Sequence, residues 1–281
     1  MRCFIINYRS RLTSYVVAIF LLSGLPMTGT IAGNELNNVA FPEKFMIRLS
    51  SYHVNDADTD IKVFSSAGVG TGVNFDKDLG GENSVTIPRI DAYYRFNANH
   101  RIDFSSFRTE RDGLKTIDID IDLGDQSFVV GDSVESKIKF SLTRLGYAYS
   151  FYHSPNVELS LTAGLNINSY DFEYSLASGA SSSSSDASGP LPTFGLRLAY
   201  KISPKWSLRY VSETFFIEID DALKGTLLNY ELDVEYRLNN SFVLGAGIAR
   251  TSTDLDVDDG DWEGSISDSN RGLLVYGAYY F

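Results

Sequence analysis

The strongest constraint on this fold is a strict alternation of apolar and polar residues along segments of about ten residues. Between 226 and 238, one face of the segment carries Leu228, Tyr230, Leu232, Val234, Tyr236 and Leu238, and the intervening residues are polar or charged. The segments 157–168 and 192–201 alternate in a similar way. A period of two residues is that of a β-strand with one apolar and one polar face. The sequence therefore predicts an all-β chain.

A second pattern is an aromatic and polar strand ending that occurs five times. The five endings are 92–97, 147–154, 198–203, 234–239 and 277–281. The first four run directly into segments that contain Asn, Pro or Ser, which preset or tolerate the backbone angles of turns. A new alternating segment follows each turn. We therefore expect five strands to descend to one rim, four of them returning through short turns.

The C-terminal segment 271–281 adds a specific resemblance. It places Leu273, Val275, Gly277, Tyr279 and Phe281 on one face and stops on phenylalanine. In this it resembles the Gram-negative outer-membrane β-barrel superfamily, and the layout is similar to that of small OmpW and OmpA-transmembrane barrels. The resemblance implies a transmembrane antiparallel up-and-down β-barrel over 44–281, with periplasmic termini. It also implies that Tyr279 and Phe281 form the signal read by the barrel-assembly machinery.

A soluble β-sandwich also alternates, and it is the main alternative. Against it, aromatic residues gather at the turn ends of the strands, as an interfacial girdle would. Residues 1–33 also read as a cleaved signal peptide, with Arg2, Arg9 and Arg11 before an apolar core at 15–25 and cleavage after Ala32 or Gly33. Eleven apolar residues are too few for a helix that spans a bilayer, whose core is about 30 Å thick.

Removal of the signal peptide has two chemical consequences. It takes away Cys3, the only cysteine, so disulfides and thiol chemistry are not expected. It also changes the formal net charge from −12 to −15, because residues 1–33 hold three arginines and no acidic residue. This acidity argues against a nucleic-acid partner, which would require a basic face. Residues 34–43 are then expected to be a periplasmic N-terminal segment, and lipid and lipopolysaccharide are the expected surroundings.

Pairing each descending strand with an ascending one predicts ten strands. The ascending segments are 44–54, 101–111, 157–168, 206–217 and 242–250, and the descending segments are 85–96, 138–151, 191–201, 226–238 and 271–281. Eight or twelve strands remain alternatives. One reason is that 61–65 and 72–76 could form a further hairpin, which we expect above the membrane. Another is that the apolar positions change phase within 138–151, which predicts a bulge or an early exit from the membrane.

The polar faces of these strands predict a charged lumen. The residues expected to point inward are Arg48, Arg89, Asp91, Arg95, Arg101, Asp103, Glu158, Arg197, Lys201, Arg209, Glu213, Glu231, Asp233, Glu235 and Arg237. Eight are basic and seven acidic, a near balance that favours mutual pairing over unpaired buried charge. Ten strands are wider than the side-chain-filled eight-strand barrel and far narrower than a porin. A salt-bridged core and a narrow polar channel are both compatible with this pattern.

Three acidic stretches, 55–60, 117–125 and 254–263, are expected to be external loops. The spacing in 254–263 is similar to that of a calcium-binding EF-hand loop, but Gly260 lies at loop position seven instead of six. Flanking helices are absent from the pattern as well. We therefore expect no dedicated metal site and no cofactor.

Enzymatic function is the least favoured reading. Some barrels of this size are lipid A-modifying enzymes or omptin proteases, which need a histidine near the outer rim. His100 and His153 fall in the predicted periplasmic turns, so only His53, near Asp56 and Asp58, could act as a base. The favoured function is structural, or the narrow-pore passage of small solutes. Surface interaction through the acidic loops, as in an adhesin or receptor, is the alternative.

Overall fold

The computed structural model describes residues 39–281, except 65–69, 124–125, 180–181, 220–222 and 259–262. The predicted signal peptide therefore lies outside the described residues. Ten long strands make up most of the described chain: β1 (Phe45–Val63), β3 (Val85–Arg95), β4 (His100–Thr116), β7 (Ser133–His153), β8 (Val157–Leu176), β9 (Ser182–Lys201), β10 (Trp206–Ile219), β11 (Leu223–Arg237), β12 (Phe242–Asp258) and β13 (Glu263–Tyr280). Three short strands accompany them: β2 (Gly72–Asn74), β5 (Ile121–Leu123) and β6 (Gln126–Phe128).

The ten long strands form a closed antiparallel barrel. Each pairs with the next long strand in the chain, and β13 pairs with β1 from Met46↔Tyr280 to Val63↔Gly264. This last ladder closes the sheet and leaves no long strand with an open edge. The predicted all-β, up-and-down barrel of ten strands is confirmed.

One end of the barrel, the turn rim, is formed by the connections at 96–99, 154–156, 202–205 and 238–241. Side chains of Asn97, Ser154, Ser203 and Asn239 accept hydrogen bonds from backbone N–H groups two or three residues later. These are the local bonds by which Asn and Ser stabilise turns. The opposite end is the loop rim.

The strands are longer than predicted, always toward the loop rim. The acidic stretch 55–60, expected to be a loop, continues β1 after a register shift between Val54 and Asp56. Residues 254–258 of another expected loop likewise belong to β12. In both stretches the alternation persists, with aspartates facing outward and smaller or apolar residues inward. The expectation of loops was wrong. The many aspartates of both stretches suggested solvated loops, although alternate residues still follow the two-residue period of a strand.

The hairpin suggested for 61–65 and 72–76 is present in shortened form. β2 pairs with Asp60–Lys62 of β1, so the expectation is confirmed for these residues. In the stretch 117–125, β5 pairs with β6 to form a separate two-stranded sheet. Ile117, Ile121 and Phe128 from this region enter a buried apolar cluster with Phe75 at the loop rim.

The apparent phase change in 138–151 has a simple cause. β7 keeps one alternation throughout: Ile138 and Phe140 point inward, and Leu145 and Tyr147 point outward. The apolar residues move from the inner to the outer face because the upper part of β7 carries Lys137 and Lys139 outside. An early exit from the apolar outer band therefore explains the pattern. The only register shift between β7 and β8 lies elsewhere, between Ser150 and Tyr152.

The outer face divides into an apolar band and a charged extension. On β11, outward positions from Tyr236 to Leu228 are apolar, and Lys224 follows above them. Taking about 3.3 Å per residue and a tilt of about 40°, a 20-residue strand rises about 50 Å, twice the height of an apolar band of about 25 Å. The upper half of the barrel thus lies beyond its apolar band. The described part of the chain contains no helix that is long and apolar enough to span a membrane.

Candidate functional site: the lumen

The fifteen charged residues predicted to face the lumen lie inside the barrel. Twelve of them line one central cavity: Arg48, Arg89, Asp91, Arg101, Asp103, Glu158, Arg197, Arg209, Glu213, Glu231, Asp233 and Glu235. The other three lie toward the turn rim, where Arg95 is fully buried and Lys201 and Arg237 face the segment before β1. The cavity has a volume of about 210 Å³.

A first group of ion pairs joins β1 and β3 to β11, which lies three to four strands away around the barrel. Arg48 of β1 contacts Asp91 at 2.9 Å and Glu231 of β11 at 2.9 Å. Arg89 of β3 contacts the same two acids, at 2.8 and 2.7 Å. Asp233 reaches Arg48 only at 3.3 Å. The mutual pairing expected from the near balance of inward charges is thus present here, with Arg48 and Arg89 as the partners of Glu231.

A second group occupies the side of the lumen formed by β4, β7, β9 and β10. Arg197 contacts Asp103 at 2.9 Å and Glu213 at 3.4 Å. Glu213 also accepts a hydrogen bond of 2.6 Å from Arg144. Arg101 lies 3.0 Å from Asp103. Every acid of this group therefore faces two arginines, which offsets the cost of removing its charge from water.

Arg144 was missing from the predicted set because of the apparent phase change in β7. A sequence signal for it exists in the small residues around it. A Cβ atom added to Gly164 would lie 2.9 Å from the Arg144 guanidinium, and one added to Gly146 would overlap it. Glycines on the inner face of adjacent strands thus mark where a large side chain lies across the wall.

A third group surrounds Glu235 near the turn rim. Arg209 contacts its carboxylate at 2.8 Å, and the hydroxyls of Tyr276 and Tyr280 donate to it at 3.1 and 2.9 Å. Ser207 adds a hydrogen bond of 3.1 Å. Four donors saturate this buried carboxylate, which holds the lower wall of the lumen in one arrangement.

The segment before β1 closes the turn rim. Phe41 is 2% exposed, and the Arg209 guanidinium lies 4.9 Å from its ring centre. The Lys201 ammonium lies 5.5 Å from the same ring centre. Glu43 contacts Arg237 at 2.8 Å. Residues 34–43 were predicted only as a periplasmic segment. Their described part enters the barrel mouth, where the two cations stabilise the Phe41 ring.

A neutral section follows above the charged network. Its inner face carries Asn166, Asn168 and Tyr170 on β8, with Phe140 on β7 and Phe107 on β4. The Phe140 and Tyr170 rings are stacked at 4.5 Å, and Phe107 meets Phe140 edge to face at 5.6 Å. The lumen is thus charged toward the turn rim and amide-rich and aromatic toward the loop rim.

A small polar network ties the loop-rim segment around Asp76 to the wall. Arg111 donates to Asp76, to Thr59 at 2.9 Å and to the Glu82 carbonyl at 2.6 Å. Thr59 in turn donates to Asp268 at 2.8 Å. Burial raises the pKa of Asp76 above its ordinary value, and the charge of Arg111 partly opposes this. The network fixes the loop-rim segment around Asp76, and the apolar cluster that contains Phe75 packs against this segment.

The histidines do not form the arrangement that an acid–base site requires. His53 is exposed on the outer face of β1, where it contacts the Thr86 hydroxyl at 3.0 Å. Asp56, its expected neighbour, pairs with Arg271 at 2.9 Å. His100 contacts the Tyr147 hydroxyl, and His153 lies 3.4 Å from the Asn99 amide, both at the turn rim. Within the described ranges, no group of three His, Cys, Asp or Glu side chains is placed to hold a metal ion.

Comparison with known proteins gives a likeness in structure and none in sequence. No family model matches the chain. No curated protein matches it either. The outer membrane protease OmpT from Escherichia coli has a similar structure, with a TM-score of 0.58 and 12% identity over 88% of this chain and 100% of OmpT.

Two other solved structures are more distant. Ail, the attachment invasion locus protein of Yersinia pestis, has a TM-score of 0.37 and 13% identity, over 84% of this chain and 98% of Ail. Neisserial surface protein A has a TM-score of 0.32 and 15% identity, over 84% of this chain and 97% of its own. These two likenesses carry no argument about this chain. The structural likeness to OmpT, at 12% identity, shows the fold alone. The chain therefore has the fold of an outer-membrane β-barrel, closed by ten strands.

Proposed function

We propose that this chain is an outer-membrane protein with a structural role, whose lumen is closed to all but small solutes. The observation that carries the proposal is the network of ion pairs that joins non-adjacent strands across the lumen. Arg48 on β1 and Arg89 on β3 hold Glu231 on β11 at 2.9 and 2.7 Å. Below this network, Phe41 fills the mouth at the turn rim. An open channel would instead leave charged side chains lying along the wall in contact with water.

The experiment that tests closure is conductance in planar bilayers. We expect the purified protein to conduct far less than a general porin, with weak ion selectivity. Replacing Glu231, Asp233 and Glu235 together with alanine should raise conductance and lower thermal stability, because arginines on several walls lose their partners. The matched control replaces Asp254, Asp256 and Asp258, which are exposed on β12, and should change neither property. Large, stable currents from the unmodified protein would contradict the proposal.

The proposal includes an orientation with the turn rim in the periplasm. It is supported by the contrast between short turns at one end and extended strands at the other, which is typical of outer-membrane barrels. Single-cysteine variants Ser178→Cys and Asn240→Cys place one thiol at each end, at exposed positions. A membrane-impermeant maleimide applied to intact cells should label only the first. Labelling of only the second would mean that the barrel is inserted the other way.

Surface interaction is a second candidate function, favoured by the charged extension. Asp56, Asp58 and Asp60 on β1 are exposed, and β12 adds the exposed Asp254 and Asp256 two strands away. These aspartates form one acidic outer surface beyond the apolar band, which fits a cationic partner. Retention of intact cells on a polylysine-coated surface should fall when the five aspartates become asparagine. Unchanged retention would remove this candidate.

The proposed function does not include catalysis. A catalytic role would rest on His53, which faces outward beside Thr86 and away from the lumen. The partners that we propose are outer-membrane lipid, lipopolysaccharide and the barrel-assembly machinery.

A further inference from the structure

The neutral section of the lumen contains a wall of polar groups without hydrogen-bond partners. On β8, Asn168 has neither its amide oxygen nor its amide nitrogen paired, and the Asn166 oxygen is also unpaired. Both residues are 4% exposed. Folded proteins pair almost all such groups, with protein, water or a ligand, because an unpaired buried group is destabilising.

The opposite wall is different. In a closed ring of ten strands, β13 lies diametrically across from β8. There the Asn270 amide donates to Asp268 at 2.7 Å, and on neighbouring β12 Thr251 donates to Asn229 at 3.1 Å. The polar groups of this wall are thus satisfied by one another. The amides of β8 are directed instead at the cavity that both walls enclose.

An aromatic row adjoins the unpaired amides. Tyr170 follows Asn168 on the inner face of β8, and its ring stacks on Phe140. Phe107 extends the row to β4. These groups line the upper part of the cavity of about 210 Å³ that the charged network also lines. A few convergent polar groups beside an aromatic surface are the usual composition of a small-molecule site.

We propose that this section of the lumen binds a small, uncharged, polyhydroxylated molecule of monosaccharide size. Each hydroxyl of such a molecule both donates and accepts, and the Asn168 amide offers one acceptor and two donors to neighbouring hydroxyls. The aromatic row would contact the apolar C–H face of the sugar ring. This assignment goes beyond the closed structural barrel and is independent of whether the lower lumen conducts.

Two charged side chains at this level of the lumen, Asp268 and Arg111, disfavour an ionic ligand because both already have partners. Asp268 already accepts from Thr59 and Asn270, at 2.8 and 2.7 Å. Arg111 is held by Asp76 and by Thr59. A charged ligand would therefore lose its hydration without gaining an unpaired counter-charge, which is unfavourable in a buried site.

The proposal is tested by equilibrium dialysis of the full-length barrel against radiolabelled D-glucose. The protein is kept in a detergent without a sugar headgroup, so that the detergent does not compete. We expect saturable binding with a Kd of about 1 mM, and about tenfold weaker binding by Asn168→Leu, the loss that one good hydrogen bond accounts for. The control Ser169→Leu, on the outer face of the same strand, should bind as the unmodified protein does.

A second variant tests the proposal independently, in case Asn168→Leu does not fold. Tyr170→Phe keeps the ring of a residue that lines the cavity and removes only its hydroxyl, and it should weaken glucose binding about threefold or more. Heat-modified migration in gel electrophoresis shows that each variant is folded. Absence of saturable binding by the unmodified protein would overturn the proposal and leave water as the occupant. Equal binding by Asn168→Leu, or equally tight binding of gluconate, would also overturn it.

Discussion

Two neighbouring acids on β11, Glu231 and Asp233, should respond very differently to removal of their charge. Glu231 contacts two arginines, Arg48 at 2.9 Å and Arg89 at 2.7 Å. Of the two arginines, Asp233 contacts only Arg48, at 3.3 Å, and its second carboxylate oxygen has no hydrogen-bond partner. With Asp91 included, this group holds three acids against two arginines. Loss of Glu231 removes the best pairs, whereas loss of Asp233 brings the group to neutrality.

The sizes of the two effects follow from these contacts. Glu231→Gln replaces two charge-assisted hydrogen bonds, each contributing about 1.5–3 kcal/mol, and the amide oxygen can retain one weaker bond. Because Arg48 and Arg89 keep Asp91, the loss should be below the 3–5 kcal/mol of a fully broken buried pair, at about 2–3 kcal/mol. Asp233→Asn removes one weak pair and one repulsion, so its effect should lie within about 0.5 kcal/mol of zero.

The assay is reversible unfolding of the purified barrel in urea, followed by tryptophan fluorescence in detergent micelles. The two variants are matched, since each converts one buried carboxylate of the same strand into its amide. If Asp233→Asn destabilises the barrel as much as Glu231→Gln does, charge balance does not control the network. Equal and negligible effects would mean that the arginines are solvated and that the lumen is more open than the ion pairs indicate.

Three further changes have defined outcomes. Phe41→Ala should increase bilayer conductance several-fold by removing the ring at the turn rim; conductance equal to that of the unmodified protein would show that the upper network alone sets closure. Deletion of Phe281 should leave protein in the periplasm, degraded or aggregated, and normal heat-modifiable barrel in the outer-membrane fraction would contradict its role as assembly signal. The raised pKa of Asp76 means that the folded state binds its proton more tightly, so stability falls as pH rises above about 4. Asp76→Asn should flatten this fall in urea titrations at successive pH values, and an unchanged slope would show that another group causes it.

The architecture was predictable because a barrel strand alternates between two very different environments. Lipid outside and paired charges inside impose a two-residue period, as between Leu232 and Asp233, and this period can be read without knowledge of any neighbour. Turns such as 202–205 can be recognised from their Pro and Ser residues. Strand number and the antiparallel order of neighbours followed from these two local signals, and the structure has both as predicted.

The upper strand ends were not predictable in the same way. Beyond the apolar band both faces of a strand meet polar surroundings, so the contrast that marks the period becomes weak. The alternation in 55–60 survives only as Ala57 and Thr59 inside against aspartates outside, which also resembles a loop composition. The pairing of β1 with β13 is what extends it as a strand, and a partner strand is invisible in a single segment.

The ion pairs that form within the lumen could also not be predicted from the sequence. Alternation assigns Glu231 to the inside but does not show which strand faces it, because that depends on the curvature and stagger of the closed sheet. The same limit applies to Phe41, whose position in the mouth depends on cations from β9 and β10. Local patterns therefore define faces, and closure of the barrel defines contacts.

The division of the lumen into charged and neutral sections follows from where the apolar band lies. Within the band, lipid outside prevents water from reaching the wall, so inward charges such as Arg48 and Glu231 must be neutralised across the lumen itself. Above the band, charges can face outward into solvent, as Lys137 and Lys139 do with Glu110 and Glu173 at 2.6 Å. The inner face there is free to carry aromatic rings such as those of Phe140 and Tyr170. A barrel that extends past its membrane band can in this way place a closed, rigid base beneath a chamber of different chemistry, which is why we assign closure and ligand binding to separate levels of one lumen.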